Sequence, residues 1–243
     1  MPLNEQFEQL PRKSEYERRR AKLSPWMHLI ASAKGATRYF TDRSDLALAA
    51  AILTSNSSTT RVVETIRQGA DVNARGRQGV TPLIFAAVKS KLGAFTVLLE
   101  EGADPNTKAD NGQGVMTLAA VHPNPEFLRV ALECHGDPDT KDASGVPILG
   151  RSIENDLPEH VQLLLHHGAD VNAVDSSGNS PLGMAILVGR SDMLGWLISA
   201  GANVDQENRF NITPRTMAME EWRPSAVREA FKQAVRSHSL TSY

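Results

Sequence analysis

The chain has 243 residues, of which 41% are hydrophobic and 22% charged, and a formal net charge of -2. That is the make-up of an ordinary soluble protein, and without an overall basic or acidic bias it points to neither nucleic acid nor a basic partner. A single cysteine, Cys134, excludes an intramolecular disulfide and any zinc site built from several thiolates, which suits a reducing compartment.

Residues 1–43 stand apart from the rest. They carry nine Lys or Arg against five Asp or Glu, a net of +4, which leaves -6 for the remainder. Met1 to Leu10 lacks the charged-then-apolar layout of a secretory signal, and no run reaches the length of a membrane span. A cytoplasmic protein without membrane insertion is therefore expected. Ser14 and Glu17 form a capping-box pattern for a helix through Leu23, with Glu15 and Arg19 one turn apart. The run Arg18-Arg19-Arg20 reads as a solvated helix face, because a nucleic-acid footprint needs a wider basic surface. Ser24-Pro25 opens a second helix, on which Trp26, Leu29, Ile30 and Ala33 share a face before Gly35. That face is expected to cap the apolar flank of the next helices, with Tyr39 and Phe40 in the same cover. A first helix pair is predicted over residues 44–53 and 59–68, joined by Asn56-Ser57-Ser58.

From Gln68 onward the sequence repeats. Gly69, Gly102, Gly136, Gly168 and Gly201 stand at successive steps of 33, 34, 32 and 33, each opening a variant of Gly-Ala-Asp-x-Asn. Thr81-Pro82-Leu83 returns as Met116-Thr117-Leu118, Pro147-Ile148-Leu149, Ser180-Pro181-Leu182 and Thr213-Pro214-Arg215, at steps of 35, 31, 33 and 33. Over four steps both series cover the same total length, so the uneven middle steps read as local insertions and deletions inside one repeat. Each copy is helix, stop, turn, start, helix. The glycine ends a helix where positive φ is needed, and Asp71, Asn73, Gly76 and Gly79 supply turn chemistry. Thr81 is a suitable N-cap and Pro82 fits the first helical position, where no amide donor is required. One such helix pair cannot bury its own apolar face, so copies must stack. The second copy is expected to have a longer finger, Lys108 to Gly114, and a Pro-broken turn at His122-Pro123-Asn124-Pro125.

Thr81-Pro82-Leu83 with Ala86-Ala87, together with Gly69-Ala70-Asp71-Val72-Asn73, resembles the ankyrin repeat. Gly168 to Asn172 repeats the second run, with near variants at Gly102 to Asn106 and Gly201 to Asp205. The resemblance covers roughly residues 44–236. It implies an all-α solenoid of stacked helix-turn-helix repeats, with short β-hairpin fingers and helical caps. The chain then divides into an extension and cap over 1–43, an array over 44–236 whose last helix pair is a C-terminal cap, and a tail over 237–243. One departure stands out: the family's His after Thr-Pro-Leu is replaced by Ile84, Ala119, Gly150, Gly183 and Thr216, so stacking is expected to rest more on apolar packing.

The resemblance also implies where a protein partner binds, namely the fingers and the ends of the inner helices on a concave side. Carried over copy by copy, the finger positions are Arg75, Arg77, Gln78, Lys108 and Lys141, with Val174 and Glu207 in the later copies. The positions before the Thr-Pro-Leu slot give Val80, Val115 and Val146. The inner-helix ends give Val88, Lys89, Glu154, Asn155, Leu187 and Val188. Lined up on one face, the apolar members are expected to form an interface patch, made basic at one end by Arg75, Arg77, Lys89 and Lys108.

No catalytic spacing competes with this. Gly112-Gln113-Gly114 starts a phosphate-loop pattern that Thr117 breaks, and no nucleophile elbow or zinc-protease motif occurs. Cys134-His135 and His166-His167 end outer helices, where the helix dipole favours cations. No cofactor or metal is expected. The expectation is a non-catalytic protein-protein interaction module, monomeric on its own, with no nucleic-acid partner. It could serve as an inhibitor or immunity-type binder of an enzyme or toxin; the alternatives are a scaffold or adaptor subunit, or an enzyme with an unrecognised site around Cys134, His135 and His122.

Overall fold

A computed structural model describes residues 39–55, 58–220 and 223–241; the helices expected before Tyr39, with Trp26, lie outside them. The described residues form twelve α-helices: α1 Arg43–Thr54, α2 Thr60–Arg67, α3 Pro82–Val88, α4 Leu92–Glu100, α5 Val115–Ala119, α6 Glu126–Glu133, α7 Ile148–Glu154, α8 Pro158–His166, α9 Pro181–Val188, α10 Leu194–Ser199, α11 Pro214–Met219 and α12 Ser225–Thr241. None is long and apolar enough to cross a membrane. They divide between two compact units that part between Ala143 and Ser144, with α1–α6 in one and α7–α12 in the other. The single array expected from the repeat is thus continuous in sequence register but packed as two bodies.

The register itself is more regular than the motif letters suggest. The inner helices α3, α5, α7, α9 and α11 begin at Pro82, Val115, Ile148, Pro181 and Pro214, a constant step of 33. The outer helices α2, α4, α6, α8 and α10 end at Arg67, Glu100, Glu133, His166 and Ser199, with the same step. The insertions and deletions read from the spacing are therefore absent, and the finger of the second copy is no longer than its neighbours. Two local substitutions created the illusion. Gly114, not Met116, is the N-cap of α5, and its amide donates to the Thr117 hydroxyl at 2.8 Å, inverting the usual direction of the cap. The left-handed position after α6 is His135 (φ 67°), not Gly136. Gly136 instead meets a steric demand, since a Cβ there would collide with the Met116 sulfur.

The fingers are tight turns rather than paired strands. Backbone amides of Gly76, Ala109, Asp175 and Asn208 donate to the carbonyls of Val80, Gln113, Asn179 and Ile212 at 2.8–3.1 Å. An isolated antiparallel bridge joins Lys108 and Gly114. Each finger has a left-handed residue at the same step, Gly79, Gly112, Gly145 and Gly178, and in the last copy Asn211 (φ 57°); the first finger has a second one at Gln78 (φ 61°). Asparagine is among the few side chains that tolerate that region.

In the unit of α1–α6, aromatic rings fill the core. Tyr39 and Phe40 lie against Phe85, with ring centroids 6.3 and 5.8 Å away, and all three are buried. The Tyr39 carbonyl accepts the Arg77 amide at 2.6 Å, so residues 39–40 cover the first finger from the front as a preceding copy would. Further along, Phe95 meets Phe127 with centroids 5.0 Å apart. Each buried ring contributes about 1.5–3 kcal/mol of hydrophobic stabilisation.

In the unit of α7–α12 the core is aliphatic and sulfur-rich, with Leu149, Ile153, Leu164, Met184, Ile186, Leu197 and Met217 buried. Gly150 occupies the slot of the family's histidine, and the Met184 sulfur fills the space a side chain there would need. Ile84 in the other unit is likewise apolar and buried, but the 33-residue step puts Thr117, not Ala119, in this slot of the second copy, and Thr216 in the last. Buried polar groups at the fingers are paired: the Asn208 side chain donates to Asn179 at 2.9 Å, and the Asn179 backbone amide donates to Asp175 at 2.9 Å. Helix α12 packs on α10, buries Val227 and Phe231, and leaves a polar outer face. It continues to Thr241, past the tail boundary expected at residue 237, because no Gly or Pro interrupts it and Ser237 bonds back to the Gln233 carbonyl at 3.0 Å.

Candidate functional site

The fingers of the α1–α6 unit are stitched to one another by asparagine side chains at their stems. Asn73 donates to the Gly102 carbonyl (3.0 Å) and accepts from the Asp104 amide (2.9 Å); Asn106 repeats this with His135 (3.0 Å) and Asp137 (2.7 Å). Each bond pair spans one repeat, so successive fingertips are held in line at the pitch of the stack. Arg75 adds a second tie. Its guanidinium donates to Asp110 (3.1 Å) and to the Lys108 carbonyl (3.2 Å), while the Asp110 amide donates to the Gln78 carbonyl (3.0 Å). Arg75, Arg77, Gln78, Lys108 and Lys141 are all exposed, as expected of fingertips. Arg77 and Lys108 enter no ion pair among the described residues.

The apolar half of the expected surface is not at the surface. Val80, Val115 and Val146 are each 0% exposed. Val80 and Val146 are the last residues of their fingers, where the chain turns back under the inner helix, and their side chains enter the core. Val115 is the first residue of α5, in the slot of Pro82, and Gln113 stands in the slot of Val80. The expected apolar patch along the fingers therefore does not form.

The inner-helix ends give a mixed result. Val88 and Lys89 follow one another at the end of α3, both half-buried, with the Lys89 ammonium 5.6 Å from the Phe85 ring centroid. Burial pushes the Lys89 pKa down. Leu187 and Val188 are half-buried at the end of α9. Glu154 turns inward to Arg151 at 2.7 Å with only 7% of its side chain exposed, and Asn155 donates to the Arg151 carbonyl at 2.8 Å. Those two hold their own helix end rather than present a contact.

The corrected register also brings in two residues missing from the expected surface, Val121 and His122, which occupy the slots of Val88 and Lys89. Only the uniform step of 33 would have found them. Their turn is unlike the others for a definable reason. Ser90, Asp156 and Gly189 adopt positive φ at this point, but the equivalent residue is Pro123, whose ring forbids it. The chain instead wraps around His122, whose Nδ1 accepts from the Asn124 amide at 3.0 Å and whose Nε2 then donates to the Ser90 hydroxyl at 3.0 Å. The ring packs on Phe127 at 4.0 Å, and burial lowers its pKa below the ordinary 6.5. In the α7–α12 unit the corresponding tie between turns is an ion pair, Arg190 to Asp156 at 2.8 Å.

Cys134 is half-buried, and its thiol pKa is raised first by burial and then by Glu133 and Glu100, the opposite of nucleophile activation. His166 and His167 contact each other edge to face at 5.5 Å, and no group of three metal-ligating side chains occurs among the described residues.

Residues 78–110 match the family model described as Ankyrin repeat, and residues 110–208 match the one described as Ankyrin repeats (3 copies). No curated protein is matched. Ankyrin repeats are generally protein-protein interaction modules and typically non-catalytic. With more than half of the sequence matched and the 33-residue helix pairs continuing on both sides of the match, the chain belongs to the ankyrin-repeat family.

Proposed function

We propose that this protein holds a single protein partner without acting on it chemically, through the fingertips and inner-helix ends of the α1–α6 unit. The observation that carries this reading is the row of exposed tips, Arg75, Arg77, Lys108 and Lys141, kept in line by the Asn73 and Asn106 ladders. Rigid presentation lowers the ordering cost of binding, which is what a recognition surface requires. Beside the tips, Val88 and Val121 supply half-buried apolar contact. The chain acts as a monomer on its own, with neither nucleic acid nor a membrane as partner.

Within this reading an inhibitor or immunity-type binder saturates at one partner and suppresses that partner's activity. A scaffold retains two partners at once and leaves their activities intact. The test is affinity capture from the native host, followed by titration of the recovered partner. A Val88→Glu, Val121→Glu double variant should lose the partner while far-ultraviolet dichroism keeps its helical form. Capture at wild-type strength by that variant contradicts the assignment of the surface.

A further inference from the structure

We infer that the finger row of the α1–α6 unit receives an extended acidic segment of the partner, with carboxylates about three residues apart. This rests on the protein-binding reading above and adds the chemistry of what is bound. The first observation is register. Arg75, Lys108 and Lys141 occupy the same finger slot in three successive repeats, and all are exposed. In the α7–α12 unit that slot holds Val174 and Glu207, so the cationic row stops with the first unit.

The second observation is segregation. The α1–α6 unit is not basic as a whole, and exposed Asp71, Asp104 and Asp137 lie at the finger stems. There each carboxylate accepts the amide two residues on, at 2.8–2.9 Å, and is committed to its own turn. Nearer the tips, Asp110 is paired with Arg75, Asp142 is buried, and Asp139 is exposed two residues before Lys141. Exposed positive charge thus recurs at one finger slot, while the carboxylates of Asp71, Asp104 and Asp137 are held in the stem turns.

Pitch then selects the ligand's form. Packed helices lie about 8–10 Å apart, and an extended chain advances about 3.3 Å per residue, so about three residues span one step between cations. A helix, rising about 1.5 Å per residue, would bring its carboxylates past the same tips only about every six or seven residues. Nucleic acid is disfavoured by the same surface. Every aromatic side chain described in this unit, Tyr39, Phe40, Phe85, Phe95 and Phe127, is buried, which leaves no platform for stacking bases.

The test uses three probes: a fluorescent peptide of Gly and Ser with Asp at every third position, a peptide of the same composition with its Asp residues clustered, and a single-stranded oligodeoxythymidine of equal charge. The spaced peptide should bind most tightly and weaken as salt rises. A Lys108→Glu, Lys141→Glu variant should lower its association rate about tenfold at low salt, the scale of electrostatic steering, with unchanged dichroism. Equal binding of the two peptides overturns the spacing, and equal binding by variant and wild type overturns the surface. Tighter binding of the oligonucleotide overturns the partner class. If the partner captured from the host is lost by the Val88→Glu, Val121→Glu variant but retained by the Lys108→Glu, Lys141→Glu variant, the acidic-segment inference fails while the protein-binding reading stands.

Discussion

Residues 39–143 pack their repeats around aromatic rings and leave a cationic row on their fingers, whereas residues 144–241 pack around Leu, Ile and Met and carry Val174 and Glu207 in the same finger slot. The cross-repeat ties differ in kind as well. The first unit links its turns by a hydroxyl and an imidazole, Ser90 and His122, while the second uses the ion pair of Asp156 and Arg190 and buries a second pair, Arg151 with Glu154. Both units nevertheless keep the same 33-residue frame of helix ends and left-handed turns. That frame therefore depends on a few backbone-setting positions, and core chemistry and finger charge vary within it.

The largest predicted effect strikes the aromatic core. Phe85→Ala should cost about 3–5 kcal/mol, because the ring is fully buried and both Tyr39 and Phe40 rest on it. In the other unit, the near-isosteric Met184→Leu should cost under about 1.5 kcal/mol, since a polarizable filler above Gly150 is easily replaced. Urea denaturation of both variants checks this, and equal losses would remove the contrast between the cores. Next comes the buried pair. Glu154→Gln should cost about 3 kcal/mol by depriving buried Arg151 of its counter-charge, whereas replacing both residues by apolar ones of similar volume should cost much less.

Smaller effects belong to the caps and turns. The Thr81 hydroxyl accepts from the Ile84 amide at 3.3 Å, so Thr81→Ala should cost about 1 kcal/mol in the first unit, measurable by the same denaturation. The pH dependence should report on the His122 turn of the first unit. The fold holds His122 neutral, with its pKa below the ordinary 6.5, so its contribution is fully present above pH 6.5 and declines as pH falls through the folded value. A His122→Asn variant should flatten that part of the stability profile. An unchanged profile would place the acid sensitivity elsewhere.

Most of the frame was legible in the sequence, because its signals are backbone signals. Thr81-Pro82, Ser180-Pro181 and Thr213-Pro214 begin helices where their chemistry says they should, and Gly69, Gly102, Gly168 and Gly201 end them at positive φ. The middle copies misled because the same letters served other needs. Thr117 caps from the third helical position in place of an N-cap threonine, and Gly136 makes room for Met116 while His135 takes the left-handed position. The site was half legible. Arg75, Lys108 and Lys141 share one slot and are exposed, but Val80 and Val146 are core because a finger this short turns its last residue back under the helix. Periodicity counts residues; it does not say on which side of so tight a turn a valine falls.

If recognition belongs to the fingers of the α1–α6 unit, charge reversal there and in the other unit should have unequal consequences for association of the captured partner. The Lys108→Glu, Lys141→Glu variant should associate about tenfold more slowly, while a control reversed in the other unit, Glu207→Lys, should stay near the wild-type rate. Equal rates for the two variants, or a loss confined to Glu207→Lys, would take recognition away from these fingers.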